Sequence, residues 1–191
     1  MSDEMTFRGL TLDDFQREAV QHIDRRESVV VSAATGTGKT LIADYMIDRY
    51  LRAGKEIIYT APIKALSNQK YKDFKERYGE EKVGILTGDI TINEDAPLRI
   101  MTTEIYRNML LSQNPGLEDL SYVIFDEVHY LGDEHRGKVW EASFIVNRDD
   151  VRCLGLSATI PDADESAEWI GSIKDHEMRV VAEPERAVPL H

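Results

Sequence analysis

This chain has very little cysteine and tryptophan, few prolines, no long apolar run and a shortage of positive charge. Cys153 is the single cysteine in 191 residues, so an internal disulfide is excluded. It sits in the apolar run Cys153-Leu154-Gly155-Leu156, and a buried, inert thiol is expected there. No apolar stretch approaches the ~20 residues of a membrane span, and the acidic start lacks the form of a signal peptide. A cytoplasmic location is expected, or a nuclear one in a eukaryote. The 23 basic residues are outnumbered by 35 acidic ones, for a net charge of −12. That excess argues against any protein that holds nucleic acid by bulk electrostatics. Contact with nucleic acid would have to run along a local track.

What is present is ordinary for a soluble globular domain: 42% hydrophobic and 30% charged residues, in a length that favours one domain able to bury its own core. No repeat or low-complexity segment stands out. Short apolar runs alternate with helix-period stretches, which predicts an α/β fold with a mainly parallel sheet. Strands are expected at 29–32, 56–60, 83–86, 98–102, 122–125, 152–156 and 178–182. Helices are expected at 13–26, 39–52, 63–78, 104–112, 137–147 and 164–171. The polar groups of interest fall just after the strands, at the edge where open parallel sheets bind ligands.

The most informative stretch is Ala33-Ala34-Thr35-Gly36-Thr37-Gly38-Lys39-Thr40. It follows the apolar run Ser28-Val29-Val30-Val31 and precedes a helical segment, the context of a phosphate-binding loop. Gly36 and Gly38 can take backbone angles that turn successive amides toward one anion, and the helix start adds its own unpaired amides. Lys39 would reach the outer phosphates and Thr40 would offer a hydroxyl to magnesium. Ala33 stands where the usual pattern has glycine.

Upstream, Gln16 has a carboxamide able to pair with the N6 and N7 edge of adenine. It could equally be a solvated helix residue. Pro62 fits a first-turn helix position, and the amides after it, with Lys64, suit a phosphate of an extended strand. Lys70, Lys72, Lys75 and Arg77 are interspersed with Asp73 and Glu76 and read as a solvated face. Thr87-Gly88-Asp89 and Met101-Thr102-Thr103-Glu104 place hydroxyls and amides after strands, where simple caps and turns are also expected. Tyr122-Val123-Ile124-Phe125-Asp126-Glu127-Val128-His129 delivers adjacent carboxylates from a buried strand. One can hold hydrated magnesium while its neighbour orients and deprotonates a water. Ser157-Ala158-Thr159 ends a further strand with hydroxyls that could bond His129 or the carboxylates, or serve as caps.

Together these segments resemble the motif series of superfamily-two helicases. Phe15-Gln16 is similar to the adenine-reading Q motif, Ala33 to Thr40 to the nucleotide motif, Asp126 to His129 to a DExH box, and Ser157 to Thr159 to the coupling motif. PIKALSNQKY (Pro62 to Tyr71), MTTEIYRNML (Met101 to Leu110), DEVHYL (Asp126 to Leu131) and RGKVWE (Arg136 to Glu141) are similar to superkiller-like DExH RNA helicases. The resemblance implies a RecA-like P-loop NTPase fold using ATP and Mg2+. Thr35, Gly36, Thr37, Gly38, Lys39 and Thr40 would cradle the nucleotide with Gln16 on its base. Asp126 would join Thr40 at the metal, and Glu127 would be the base of a catalytic set with Asp126 and Lys39. His129, Ser157 and Thr159 would couple hydrolysis to strand movement. Pro62, Lys64, Gly88, Thr102 and Thr103 would grip single-stranded RNA. Residues 1–183 are expected to be the first motor domain of a monomer, and 184–191 the start of a linker to a second RecA-like domain whose arginines complete the site. A DNA helicase or translocase of the same superfamily, or a nucleotide-responsive RNA-binding scaffold without turnover, are the alternatives.

Overall fold

The computed structural model describes residues 6–33, 38–126, 151–157 and 178–182. A small antiparallel hairpin, β1 (Thr6–Phe7) and β2 (Leu10–Thr11), precedes helix α1 (Asp14–Asp24). Then β3 (Ser28–Ser32), α2 (Lys39–Arg52), β4 (Glu56–Ala61), α3 (Lys64–Tyr78) and β5 (Val83–Leu86) alternate. The short strand β6 (Thr91–Ile92) returns along β5 and is followed by β7 (Leu98–Thr102), α4 (Thr103–Leu111), β8 (Leu120–Phe125), β9 (Arg152–Ser157) and β10 (Met178–Ala182).

Eight strands form one sheet in the order β10-β3-β9-β8-β4-β7-β5-β6. Every neighbouring pair is parallel except β5–β6. Both faces of the sheet are covered, which is why its strands read as continuous apolar runs rather than alternating ones. Side chains still alternate by face. Ile57, Tyr59, Tyr122, Ile124, Leu98 and Ile100 enter one core with residues of α1, α2 and α3. Ile58, Val123, Phe125, Met101 and Cys153 enter the other with Tyr106 and Met109 of α4. Cys153 is buried, as expected for an inert thiol.

All seven expected strands are present, with β3, β4, β8 and β9 one or two residues longer than expected. Helix α2 keeps its expected bounds, and α1, α3 and α4 shift by a residue or two at their ends. Ile63 has extended backbone (φ −132°, ψ 152°) and caps α3, so Pro62 lies ahead of that helix rather than in its first turn, correcting that expectation. The expected helices at 137–147 and 164–171 and the boundary at 183–184 lie outside the described residues. Among the described residues, neither the β1–β2 hairpin nor β6 was anticipated. The β1–β2 turn runs through Arg8 and Gly9, both with positive φ, and arginine is a poor advertisement for such a turn. β6 is a strand of 2 residues and leaves no period to read.

The hairpin is fastened by aromatic contacts. Phe7 meets Tyr45 of α2 edge-on at 5.4 Å between ring centroids. Arg8 lies over Phe7 and Tyr78 and donates to the Tyr78 hydroxyl at 3.1 Å. No helix among the described residues is long and apolar enough to cross a membrane.

Candidate nucleotide and nucleic-acid site

Register alone brings the candidate residues to one edge. Ser32, at the end of β3, is paired with Ser157 at the end of β9. Phe125 at the end of β8 is paired with Gly155 of β9 and with Thr60 of β4, and Ala61 of β4 with Thr102 of β7. The carboxyl ends of adjacent strands therefore present the start of the phosphate loop, Ser157, Asp126, Pro62 and Thr102 in one row. Parallel pairing makes this unavoidable, because each strand runs the same way and each loop emerges on the same side.

At the loop itself, Ala33 is buried in the core at the end of β3, so a methyl group is accommodated where the usual pattern has glycine. Gly38 caps α2 in a left-handed conformation (φ 90°, ψ 22°) that glycine takes without cost. A Cβ on Gly38 would collide with the Gln16 amide nitrogen. Lys39 and Thr40 open α2, with Thr40 exposed at its mouth. Thr35, Gly36 and Thr37 lie outside the described residues.

Gln16 is buried rather than solvated, at 4% exposure. Its Oε1 accepts from the Asp13 backbone N–H at 2.8 Å, and its Nε2 donates to the Gly38 carbonyl at 3.0 Å. The side chain thus serves as the reciprocal half of a cap on α1 and ties that helix to the loop. No periodic signal marks such a link, but a glutamine three residues after an aspartate cap is a cue.

Asp126 is half-buried just beyond β8. Its backbone N–H donates to the Thr60 carbonyl at 2.9 Å, and its Oδ2 accepts from the Tyr59 hydroxyl. Tyr59, a core residue of β4, escaped the sequence reading because a tyrosine inside an apolar strand looks like filling. Glu127, His129 and Thr159 lie outside the described residues.

Along the other strand ends, Lys64 is exposed and ion-paired to Asp89 at 2.9 Å. A Cβ on Gly88 would stand 3.4 Å from the Lys64 ammonium, so these candidates from separate loops are neighbours. The Thr87 hydroxyl accepts from the Asp89 and Ile90 backbone amides, which shapes the turn that presents Asp89. Thr102 caps α4 by accepting from the Ile105 amide at 3.4 Å. Thr102 and Thr103 are at most 9% exposed, so in this structure their side chains are covered. On α3, Arg77 is paired to Asp44 at 2.7 Å. Lys70 lies near the faces of Tyr59 and Phe74, and Lys75 over Tyr71. These cations are engaged within the protein, and the helix does not present them as one basic strip.

The described end of this segment fits a phosphate group: Gly38 adopts the conformation that a cradle needs and has no room for a side chain, and the α2 amides open beside it. Among the described residues there is no cluster of three or more side chains able to hold a metal. The donors on hand, a threonine hydroxyl and a single carboxylate, suit magnesium, which is held by one or two protein groups together with substrate phosphates.

Residues 13–166 match the model of the DEAD/DEAH box helicases. The chain belongs to that family. Ski2-like relatives match it over nearly its whole length. The antiviral helicase SKI2 of Saccharomyces cerevisiae is 49% identical over 179 residues, covering 94% of this chain and 14% of the relative. The probable helicase HelY of Mycobacterium tuberculosis is 46% identical over 94% of this chain and 20% of its own length. The DExH-box ATP-dependent RNA helicase DExH9 of Arabidopsis thaliana is 46% identical over 94% of this chain and 18% of its own length. The chain therefore spans a fifth or less of these relatives. Among solved structures, the helicase MrfA bound to DNA and AMPPNP superposes with a TM-score of 0.73 at 20% identity, covering 96% of this chain and 30% of that one. This likeness shows the fold, which is RecA-like.

Proposed function

We propose that this chain is the ATP-binding motor domain of a nucleic-acid helicase and that single-stranded RNA is its track. The observation that carries the reading is the row of strand ends. Gly38, Lys39 and Thr40 stand after β3, Ser157 ends the neighbouring β9, and Asp126 follows β8. The Ski2-like relatives, one of them named an RNA helicase, favour RNA over DNA.

In this reading the amides at Gly38 and the α2 N-terminus hold the phosphates with Lys39, together with Thr35, Gly36 and Thr37. Gln16 positions the loop through Gly38, and its remaining N–H and lone pair serve the adenine edge. Thr40 and Asp126 hold hydrated magnesium, whose contribution is to neutralise charge on the phosphates. Glu127 orients water and takes its proton, while His129, Ser157 and Thr159 sense the outcome. The retained Glu127 speaks against a scaffold without turnover, which has no need of a base. Pro62, Lys64, Gly88, Thr102 and Thr103 follow the RNA backbone. The Lys64–Asp89 pair is exposed on both sides, so its Coulomb gain is screened and a phosphate can replace Asp89 at little cost.

Turnover also needs positive charge at the γ-phosphate, worth ~10³ to 10⁵ in rate when an arginine finger supplies it. We place that arginine on a second RecA-like domain, reached through residues 184–191. The test is steady-state ATPase with matched single-stranded RNA or DNA, for this chain and for its two-domain form. The chain alone is expected to bind ATP with magnesium and hydrolyse it slowly, and the two-domain form to be stimulated by RNA. Full RNA-stimulated turnover by the lone chain would overturn the half-motor reading. Stimulation by DNA alone would move the assignment to a DNA helicase, and nucleotide binding without turnover in either form to a scaffold.

A further inference from the structure

Tyr59 is a side chain at this edge for which motif reading provides no role. It is 1% exposed. Its ring meets Phe74 of α3 nearly edge-on, with centroids 5.3 Å apart and planes at 69°, and the Lys70 ammonium lies 5.8 Å from the ring centroid. The ring therefore belongs to the core shared by β4 and α3. The hydroxyl does something else. It leaves the apolar environment and donates to Oδ2 of Asp126.

A phenylalanine would fill the same volume, so packing does not require the oxygen. A buried tyrosine hydroxyl does require a partner, and here the partner is an ionisable carboxylate one residue past a neighbouring strand. The same carboxylate-bearing residue is held at its backbone by the Thr60 carbonyl at 2.9 Å, and Thr60 itself donates through its hydroxyl to the Ile124 carbonyl at 2.9 Å. Consecutive residues of β4 therefore fix both the main chain and the side chain of Asp126. With the main chain tied and Oδ2 engaged, consecutive residues of β4 restrict how the Asp126 carboxylate can turn.

We infer that Tyr59 is a positioning residue for magnesium: its hydroxyl orients the Asp126 carboxylate toward the metal of a bound nucleotide. The inference rests on the nucleotide-binding reading above and deepens it. Hydrogen-bonding partners of ligating groups fix their orientation and basicity, and losing one costs 10- to 100-fold in metal affinity as a rule. Magnesium held partly by phosphates should show the lower end of that range.

The experiment is binding of a fluorescent adenine nucleotide to the 191-residue chain as magnesium is titrated, comparing the unmodified chain with Tyr59→Phe. The midpoint in magnesium should rise by roughly tenfold, while affinity in excess chelator stays close to the original and the thermal midpoint without ligand falls only by the few degrees that one lost hydrogen bond accounts for. A purely structural role would instead weaken binding in chelator as well. The hydroxyl acts through Asp126, so Tyr59→Phe placed on top of Asp126→Asn should add nothing further to the magnesium midpoint. An unchanged midpoint in Tyr59→Phe overturns the inference, as does an equal shift in the Asp126→Asn background. If the unmodified chain shows no magnesium dependence at all, the nucleotide reading falls and takes this inference with it. That outcome is recognisable before any variant is measured.

Discussion

Replacing Gly38 by alanine tests the link between helix α1 and the phosphate loop without any ligand. Gly38 sits at φ 90°, where an L-residue loses about 1–2 kcal/mol to the clash of Cβ with its own backbone. The new Cβ would also land on the Gln16 amide nitrogen. The far end of a free glutamine would swing aside cheaply, but this one is 4% exposed and holds hydrogen bonds of 2.8 and 3.0 Å to Asp13 and Gly38. Moving it forfeits them, at about 1 kcal/mol each. The alanine restricts the unfolded chain and returns about 0.4–1 kcal/mol. The net expectation is a loss of about 2–3.5 kcal/mol, or roughly 4–14 °C in thermal midpoint for a domain of this size. Urea denaturation followed by circular dichroism measures it. In a Gln16→Ala background the collision partner is gone and only the backbone strain remains, so Gly38→Ala should then cost about 1 kcal/mol or less. The coupling between the sites should thus be about 1–2 kcal/mol. A cost below about 1 kcal/mol in the native background, or strict additivity of the two changes, would refute the account.

Two more outcomes follow from buried polar groups. Arg99 of β7 is 2% exposed and bonded to Glu56 at 3.2 Å, its Nε has no hydrogen-bond partner among the described residues, and burial holds its pKa below the usual guanidinium value against the pull of Glu56 and Asp95. Glu56→Gln strands that charge and should destabilise by about 1–3 kcal/mol, whereas Arg99→Met should be near neutral; a larger loss from Arg99→Met in chemical denaturation would contradict this. Tyr122 is fully buried, its hydroxyl donates to the Glu27 carbonyl, and burial raises its pKa well above 10.0. The unfolded chain then gives up this proton first, so its contribution is complete below about pH 10 and is lost as pH rises, at about 1.4 kcal/mol per pH unit. Thermal midpoints taken through the alkaline range should fall less steeply for Tyr122→Phe, and an unchanged slope would refute the assignment.

Local structure was legible from the amino acids alone. Strand β3, Gly38 and helix α2 lie close together along the chain, so the cues that announce them act within a few residues, and the buried strands announce themselves by β-branched runs because both faces of the sheet are covered. Parallel strands with helical crossovers then oblige Lys39, Asp126, Lys64 and Thr102 to emerge on the same edge, so the edge that gathers the candidate residues follows from the alternation of elements. What the chain order does not encode is which distant atom each polar group meets. Gln16 could be read as surface or as adenine contact, and its burial against Gly38 depends on how α1 packs. The role of the Tyr59 hydroxyl is set by the register of β4 against β8, since its partner lies 67 residues away and no period spans that gap. Lys64 and Asp89 meet because β7 holds β4 and β5 together, and Thr102 and Thr103 are covered because α4 starts where β7 stops. Periodicity reports a residue's face and its local turn, which are near-neighbour properties. Partner choice is set by sheet order and register, which exist only once the whole sheet has formed.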